Sequence, residues 1–472
     1  MLACRERRPP SILSRTIGER SITAFEPLNE PIPDIEEASA PRSARSSVVL
    51  ILGATAIAGI AGYVVTWRVY TEVGAAGYGV FSVFWSALFL VVGILFGLQQ
   101  ESTRATAQTV VAKRDGLPGR AGVRRTSLWA FAAIAALVIG VVVIATSVLW
   151  AVPSLGSANA GLAWFVAVGA ALNCLVAAAS GVMAGAGMWR QLAAIVALDG
   201  ILRVIGVVAV LGVTHDIVPL AIAVIAPFPI SLIVVFLTAP RAFVENARVA
   251  IGVRSLVANT GRTMLAASAT AVLINGFPLV LSFFAGPENH SDLGSLVLAV
   301  TLTRAPILVP LTALSSFLVS RFSHHPDRTA RTIALLLGGI AVVILLLCGA
   351  AWLWGEPVMH LVFGSQFDLS AGVLVALIAS SGLIGALFVS GSAVLARNLH
   401  GLYALGWVAA SVVTLALLFV PLPLAGRAAL ALAVGPAVGL VVHLIGLRAA
   451  GRGVSSGRDA AAAAASSSPA TP

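Results

Sequence analysis

Arg304 stands in the stretch Thr301–Pro310, TLTRAPILVP, within an apolar run from Gly294 to Val319. Ten residues into a helix at 1.5 Å per residue, it lies about 15 Å deep, near the centre of a bilayer. An arginine there cannot easily reach water, and an unpaired charge costs at least about 2.5 kcal/mol. Pro306 and Pro310 each remove a backbone N–H, so the Leu302 carbonyl loses its usual donor. A bent helix whose polar side faces a cavity would satisfy both facts. A planar guanidinium in such a cavity suits the oxygens of a phosphate.

The acid able to neutralise Arg304 is Asp199, in another apolar run, but Arg203 follows it by four residues in the favourable order for a helical pair. One carboxylate cannot neutralise two deep arginines, and the surplus charge favours an anionic substrate group. Asp199 has a second reading as a proton or cation site, because intramembrane carboxylates often serve that purpose. Arg68 closes the first apolar run and Arg104 follows the second. His443 reads as an interfacial residue. Gly93 with Gly97, and Gly181 with Gly185, are GxxxG pairs that read as close helix packing.

The elements that must position these residues are membrane spans. Hydrophobic residues make up 59% of the chain and charged residues 10%, against about a quarter charged in soluble proteins. A template of about 20 apolar residues fits twelve times, giving an all-α polytopic membrane protein with about 12 transmembrane helices. The second span is expected at 76–98 and the seventh at 263–284. Alternate loops and the C-terminal tail carry eighteen Lys or Arg, whereas the opposite loops have Arg427 and Arg68 alongside several acids. By the positive-inside rule both termini are cytoplasmic and the protein is a multi-pass protein of the cell membrane. The 29 basic residues against 19 acidic ones thus express topology, not nucleic-acid binding.

The expected organisation is a disordered tail, 1–46, a six-helix bundle, 47–238, a basic cytoplasmic linker, 239–262, a second six-helix bundle, 263–447, and a disordered tail, 448–472. Two bundles entering from the same side imply a pseudo-two-fold along the membrane normal. Gly79 with Arg104, and Gly294 with Arg321, are a faint echo of such a repeat. The sequence holds no GxxxxGK[ST] loop, no metal-ligand cluster and no disulfide spacing among Cys4, Cys174 and Cys348. No cofactor is expected. A membrane glycan polymerase or ligase commonly needs a large outside loop, which is missing here, so a non-enzyme is expected.

The stretch RVYTEVGAAGYGVFSVFWSALFLVVGILFGLQQESTR, Arg68 to Arg104, resembles the first hairpin of the polysaccharide-type (Wzx-like) lipid flippases. These belong to the multidrug/oligosaccharidyl-lipid/polysaccharide (MOP) exporter superfamily. The residues that carry the resemblance are Arg68, Tyr78, Gly79, Phe81, Gly97, Leu98 and Arg104. The resemblance implies two helical bundles in a V, a central cationic cavity and alternating-access flipping of a polyprenyl-diphosphate-linked glycan for the cell envelope. It implies that Arg304 holds the diphosphate, Arg203 and Arg68 add positive potential, and Arg104 meets the headgroup at the cytoplasmic mouth. The partners it implies are that glycan lipid, membrane lipids and cell-envelope glycan-synthesis proteins. The alternative is a cation-coupled drug or metabolite antiporter of the same fold, with Asp199 as the coupling residue. Two departures stand out: the lipid II flippase branch usually has fourteen spans, and drug exporters often carry a carboxylate in the first span, where Val48 to Val65 has none.

Overall fold

The computed structural model describes residues 42–114, 126–286, 289–324, 328–364, 367 and 369–466. The chain separates into Met1–Arg45 and Ser46–Pro472, and the candidate membrane spans lie in the second unit. Nearly all of the N-terminal tail expected from the sequence lies outside the described residues.

Among the described residues, ten helices are long and apolar enough to cross a membrane, eleven with a bent pair counted as one. The first of them, Val49–Arg114, is itself two helices meeting at Gly74, which brings the crossings to twelve. In chain order these are α1 (42–73), α2 (75–114), α3 (Leu128–Leu155), α4 (Leu162–Gly185), α5 (Trp189–Leu211) and α6 (Ile217–Thr238). Then follow α7 (Val253–Ile274 and, after a 53° bend, Phe277–Ala285), α8 (His290–His324), α9 (Thr329–Phe363), α10 (Ala371–Ala396), α11 (His400–Leu417) and α12 (Leu424–Ser466). Continuous helices follow from the solvent: in hydrocarbon each backbone N–H and C=O must find its partner within the segment.

The repeat is written in the backbone. Gly74, Gly156, Gly286 and Gly364 end the first and third helix of each half, with φ between 72° and 81° and ψ between 157° and 176°. That region is essentially closed to residues with a side chain. The left-handed residues Gly187 (φ 72°) and Asn398 (φ 57°) occupy the same place between the fourth and fifth helix of each half. After each, an amide reaches back five residues, Met188 to Met183 and Leu399 to Val394, the helix-ending bond of a Schellman motif. In each half the fourth helix is central. α4 packs on α3, α5 and α6, and α10 packs on α8, α9, α11 and α12. Both are rich in Ala, Gly and Ser, which allow close approach.

Several boundaries differ from the sequence reading. α2 continues past Leu98 to Arg114, because the polar stretch from Gln99 onward keeps helix-compatible residues and packs one face. Gly181 and Gly185 of α4 press on its backbone at Gln99 and Thr103. The stretch expected as a linker is structured: it holds a short helix, Pro240–Asn246, a strand β2 (Arg248–Val249) paired antiparallel with β1 (Thr126–Ser127), and the first turns of α7. Thr109 and Thr126 satisfy the backbone there, accepting from the Ala250 amide and donating to the Ile251 carbonyl. At the other terminus, α12 runs on through the Ala-rich tract to Ser466, since alanine is the best helix former.

At the end of the molecule where the four glycine turns lie, the halves meet at Gly79 of α2 and Gly294 of α8. A Cβ on Gly79 would collide with the His290 carbonyl, four residues before Gly294. One on Gly294 would collide with the Ala75 carbonyl, four residues before Gly79. The contact is thus self-complementary, as a two-fold demands. The Gly79 and Gly294 echo in the sequence marks this crossing.

Candidate functional site

α8 remains helical through both of its prolines, so the chain does not break there. Pro306 and Pro310 stand four apart, so the two missing N–H groups fall on one stripe of the helix. The break falls instead in the facing helix α7, at Asn275–Gly276–Phe277–Pro278. Pro278 has no N–H to offer the Ile274 carbonyl. The hydroxyl of Ser86, from α2, enters the α7 ladder: it donates to the Asn275 carbonyl at 2.5 Å and accepts from the Leu279 amide at 3.0 Å. In an intact helix those two backbone groups would have bonded each other.

The broken turn receives Arg304. Its Nη1 donates to the carbonyls of Leu273 (3.5 Å) and Ile274 (3.4 Å), and its guanidinium lies 5.6 Å from the centre of the Phe277 ring. Arg304 is 6% exposed. Its Nε and Nη2 have no hydrogen-bond partner, and no carboxylate among the described residues forms an ion pair with it. Two weak contacts to carbonyls do not neutralise a buried charge, which costs several kcal/mol when left alone.

Arg304 lines a cavity of about 210 Å³ between the two halves, walled by Tyr63 and Thr66 of α1, Trp85 and Phe89 of α2, Asn275 at the α7 break and Thr301 of α8. The combination of one cation with hydroxyl and amide groups and an apolar floor can hold an anionic group and orient it. A second groove, about 350 Å³ between α8, α9 and α10, is lined by apolar residues and Thr303 and offers no charge to an anion.

The remaining residues singled out in the sequence lie elsewhere. Arg203 is bound to Asp199 at 2.8 Å, donates to the Val224 carbonyl at 3.2 Å, and lies within 5.7 Å of the ring centres of Trp85, Phe89 and Phe228. It sits beside the aromatic wall of the cavity and is not among the residues lining it. Asp199 pairs with Arg203, not with Arg304. Arg68 pairs with Glu72 at 2.7 Å at the glycine-turn end. Arg104, at the opposite end, is held by both oxygens of the buried Glu101, which also accepts from Asn259. The four arginines are therefore not assembled around one ligand. His443 is fully buried, bonded to Ser390 (3.0 Å) and the Tyr403 carbonyl (3.2 Å); it is a core residue, not an interfacial one. Ser86 and Asn275 went unnoticed in the sequence. The run Asn275–Gly276–Phe277–Pro278 inside an apolar span was the available signal for the break, but nothing local marked Ser86.

No protein-family model matches the sequence. Over 438 residues the chain is 33% identical to the uncharacterized protein Mb3654 of Mycobacterium bovis, covering 91% of this chain and 98% of that protein. It is 32% identical over 438 residues, with the same coverage, to the uncharacterized protein Rv3630 of Mycobacterium tuberculosis. The chain belongs to the family of these mycobacterial proteins. Among solved structures it is similar to an inward-facing multidrug resistance MATE family transporter of the MOP superfamily, with a TM-score of 0.66, 14% identity, and coverage of 86% of this chain and 97% of that one. It is also similar to a MOP superfamily transporter from Pyrococcus furiosus, described as having a binding pocket of reverse polarity that suggests a different function (TM-score 0.59, 15% identity, 86% and 95% covered). The fold is that of the MATE transporters, an all-α polytopic membrane fold, and the Mb3654 and Rv3630 family shares this chain over nearly its full length.

Proposed function

We propose that the chain is an alternating-access transporter that moves a polyprenyl-diphosphate-linked glycan from the cytoplasmic to the outer leaflet, in the service of cell-envelope polysaccharide synthesis. The observation that carries this reading is Arg304: a buried guanidinium in the cavity between the halves, with two nitrogens unpartnered. Such a group is stabilised by an incoming anion, and the planar fork matches phosphate oxygens. The positive charge supports an anionic cargo more than a cationic drug. The basic loops support cytoplasmic termini, and the likeness to MATE transporters supports two halves that rock about a central site.

The antiporter reading rests on Asp199, whose carboxylate already has a cation at 2.8 Å in Arg203. Proton- or sodium-driven export abolished by Asp199→Asn would favour it.

The test is mass spectrometry of polyprenyl-linked glycans after depletion of the protein, with a leaflet-access assay on what accumulates. One lipid-linked glycan is expected to build up facing the cytoplasm. Arg304→Ala is expected to reach the membrane but lower flipping tenfold or more, the loss of a charge-assisted hydrogen bond of roughly 1.5–3 kcal/mol, while Arg304→Lys retains part. An unchanged glycan pool would overturn the flippase reading.

A further inference from the structure

The α2 wall of the cavity is aromatic, and binding of an anion at Arg304 leaves it without a task. Phe81, Trp85 and Phe89 recur one helical turn apart on α2. Their neighbours Phe84 and Leu88 are sealed at 0% exposure, but Trp85 and Phe89 are only partly buried and line the same cavity as Arg304. Their rings stack with centroids 4.5 Å apart and planes 24° from parallel, and Phe81 continues the row 5.7 Å from Trp85.

This row is braced. The Arg203 guanidinium lies 5.7 Å from the Trp85 ring centre and 5.2 Å from that of Phe89, while Asp199 and the Val224 carbonyl fix the arginine. An ion pair buried in a span is costly, and here it holds two rings in place without lining the cavity itself. Beside the rings, the Ser82 hydroxyl donates to the Gly79 carbonyl, so toward a ligand it has only lone pairs to offer.

We propose that Trp85 and Phe89 form a seat for one sugar ring, the one joined to the diphosphate, with Arg203 as its positioning residue. The inference rests on the diphosphate reading of Arg304. A pyranose presents a face of weakly positive C–H groups, complementary to the negative face of an aromatic ring, and a rim of hydroxyls able to donate to Ser82. The volume agrees: about 210 Å³ lies below the ~300–1,000 Å³ of pockets for drug-sized ligands and suits a single ring beside a phosphate better than a large aromatic drug.

The test uses the full-length protein in detergent, with farnesyl diphosphate and farnesyl-diphosphate-linked N-acetylglucosamine as probes and binding read by microscale thermophoresis. The wild type is expected to prefer the sugar-bearing probe about tenfold, in the range of an aromatic contact. Trp85→Leu should erase that preference, leaving the bare probe within about twofold, and Trp85→Phe should retain most of it. Arg304→Ala should weaken both probes alike. Phe89→Leu reports the same preference if Trp85→Leu does not reach the membrane. A preference that survives Trp85→Leu or Phe89→Leu, or that the wild type lacks, overturns the sugar seat and leaves the diphosphate reading standing. If Arg304→Ala leaves binding of the bare probe unchanged, the diphosphate reading falls, and this inference with it.

Discussion

The repeat gives the molecule two corresponding seams between its halves, α2 against α7 and α8 against α1, and the chain fills them differently. Along α2–α7, Gly93 faces Ala271 and Asn275, and Gly97 lies against the backbone of Thr263 and Met264. Thr263 donates to the Gly97 carbonyl at 2.8 Å, Asn259 to Glu101 at 3.2 Å, and Ser86 occupies the α7 break. The α1–α8 seam is close near the glycine turns, where Tyr70 and Ser295 hydrogen-bond at 3.1 Å, and beside it Gly294 meets the Ala75 carbonyl at the start of α2. Farther along α1, a Cβ on Gly53 or Gly62 would meet nothing within 4 Å, and one on Gly59 would meet only Val309, at 4.0 Å. Glycine content does not distinguish the two seams. What distinguishes these glycines is whether a partner helix lies against each of them.

The comparison can be broken from its tight side. Gly97→Val would drive a branched side chain into the α7 backbone, and a loss of about 3 kcal/mol or more is expected, read as failure to survive mild heating in detergent size-exclusion chromatography. Ser86→Val should follow, at roughly 1–3 kcal/mol, because it blocks the Asn275 carbonyl and the Leu279 amide without satisfying either. Ser86→Ala should cost less, since those two groups can then bond each other, and melting curves of the pair would separate insertion from simple loss of a hydroxyl. Glu101→Ala removes the partner of both Arg104 and Asn259. Arg104 is 43% exposed, so the expected cost is only about 1 kcal/mol.

The loose side supplies the contrast in sign. Gly62→Ala on α1 should be neutral or stabilising by up to about 1 kcal/mol through helix propensity alone. Gly93→Ala, with the same propensity gain, should destabilise. Equal melting temperatures for these two variants would erase the distinction between the seams.

Much of the fold was legible in the chain, and less of the site. The twelve crossings and the helical class followed from apolar run lengths. Gly79 and Gly294, read as a faint echo, mark the crossing of the halves. The two prolines of α8 do not interrupt it, whereas α7 breaks with a 53° bend where Pro278 acts together with a hydroxyl inserted from outside. Arg203 was expected to add positive potential to the cavity; it does not line it, since Asp199 and three aromatic rings from two other helices surround it.

By itself, the sequence determined how many times the chain crosses the membrane and which charges lie too deep to be solvated. Both are one-dimensional consequences of a hydrocarbon layer that solvates neither backbone nor charge. Only the tertiary structure decided which deep arginine is satisfied and which is left over. That depends on which helix faces which: Asp199 and three rings meet Arg203, while Arg304 meets two carbonyls at the α7 break. Pairing in three dimensions, not depth along the chain, separates the brace from the candidate site.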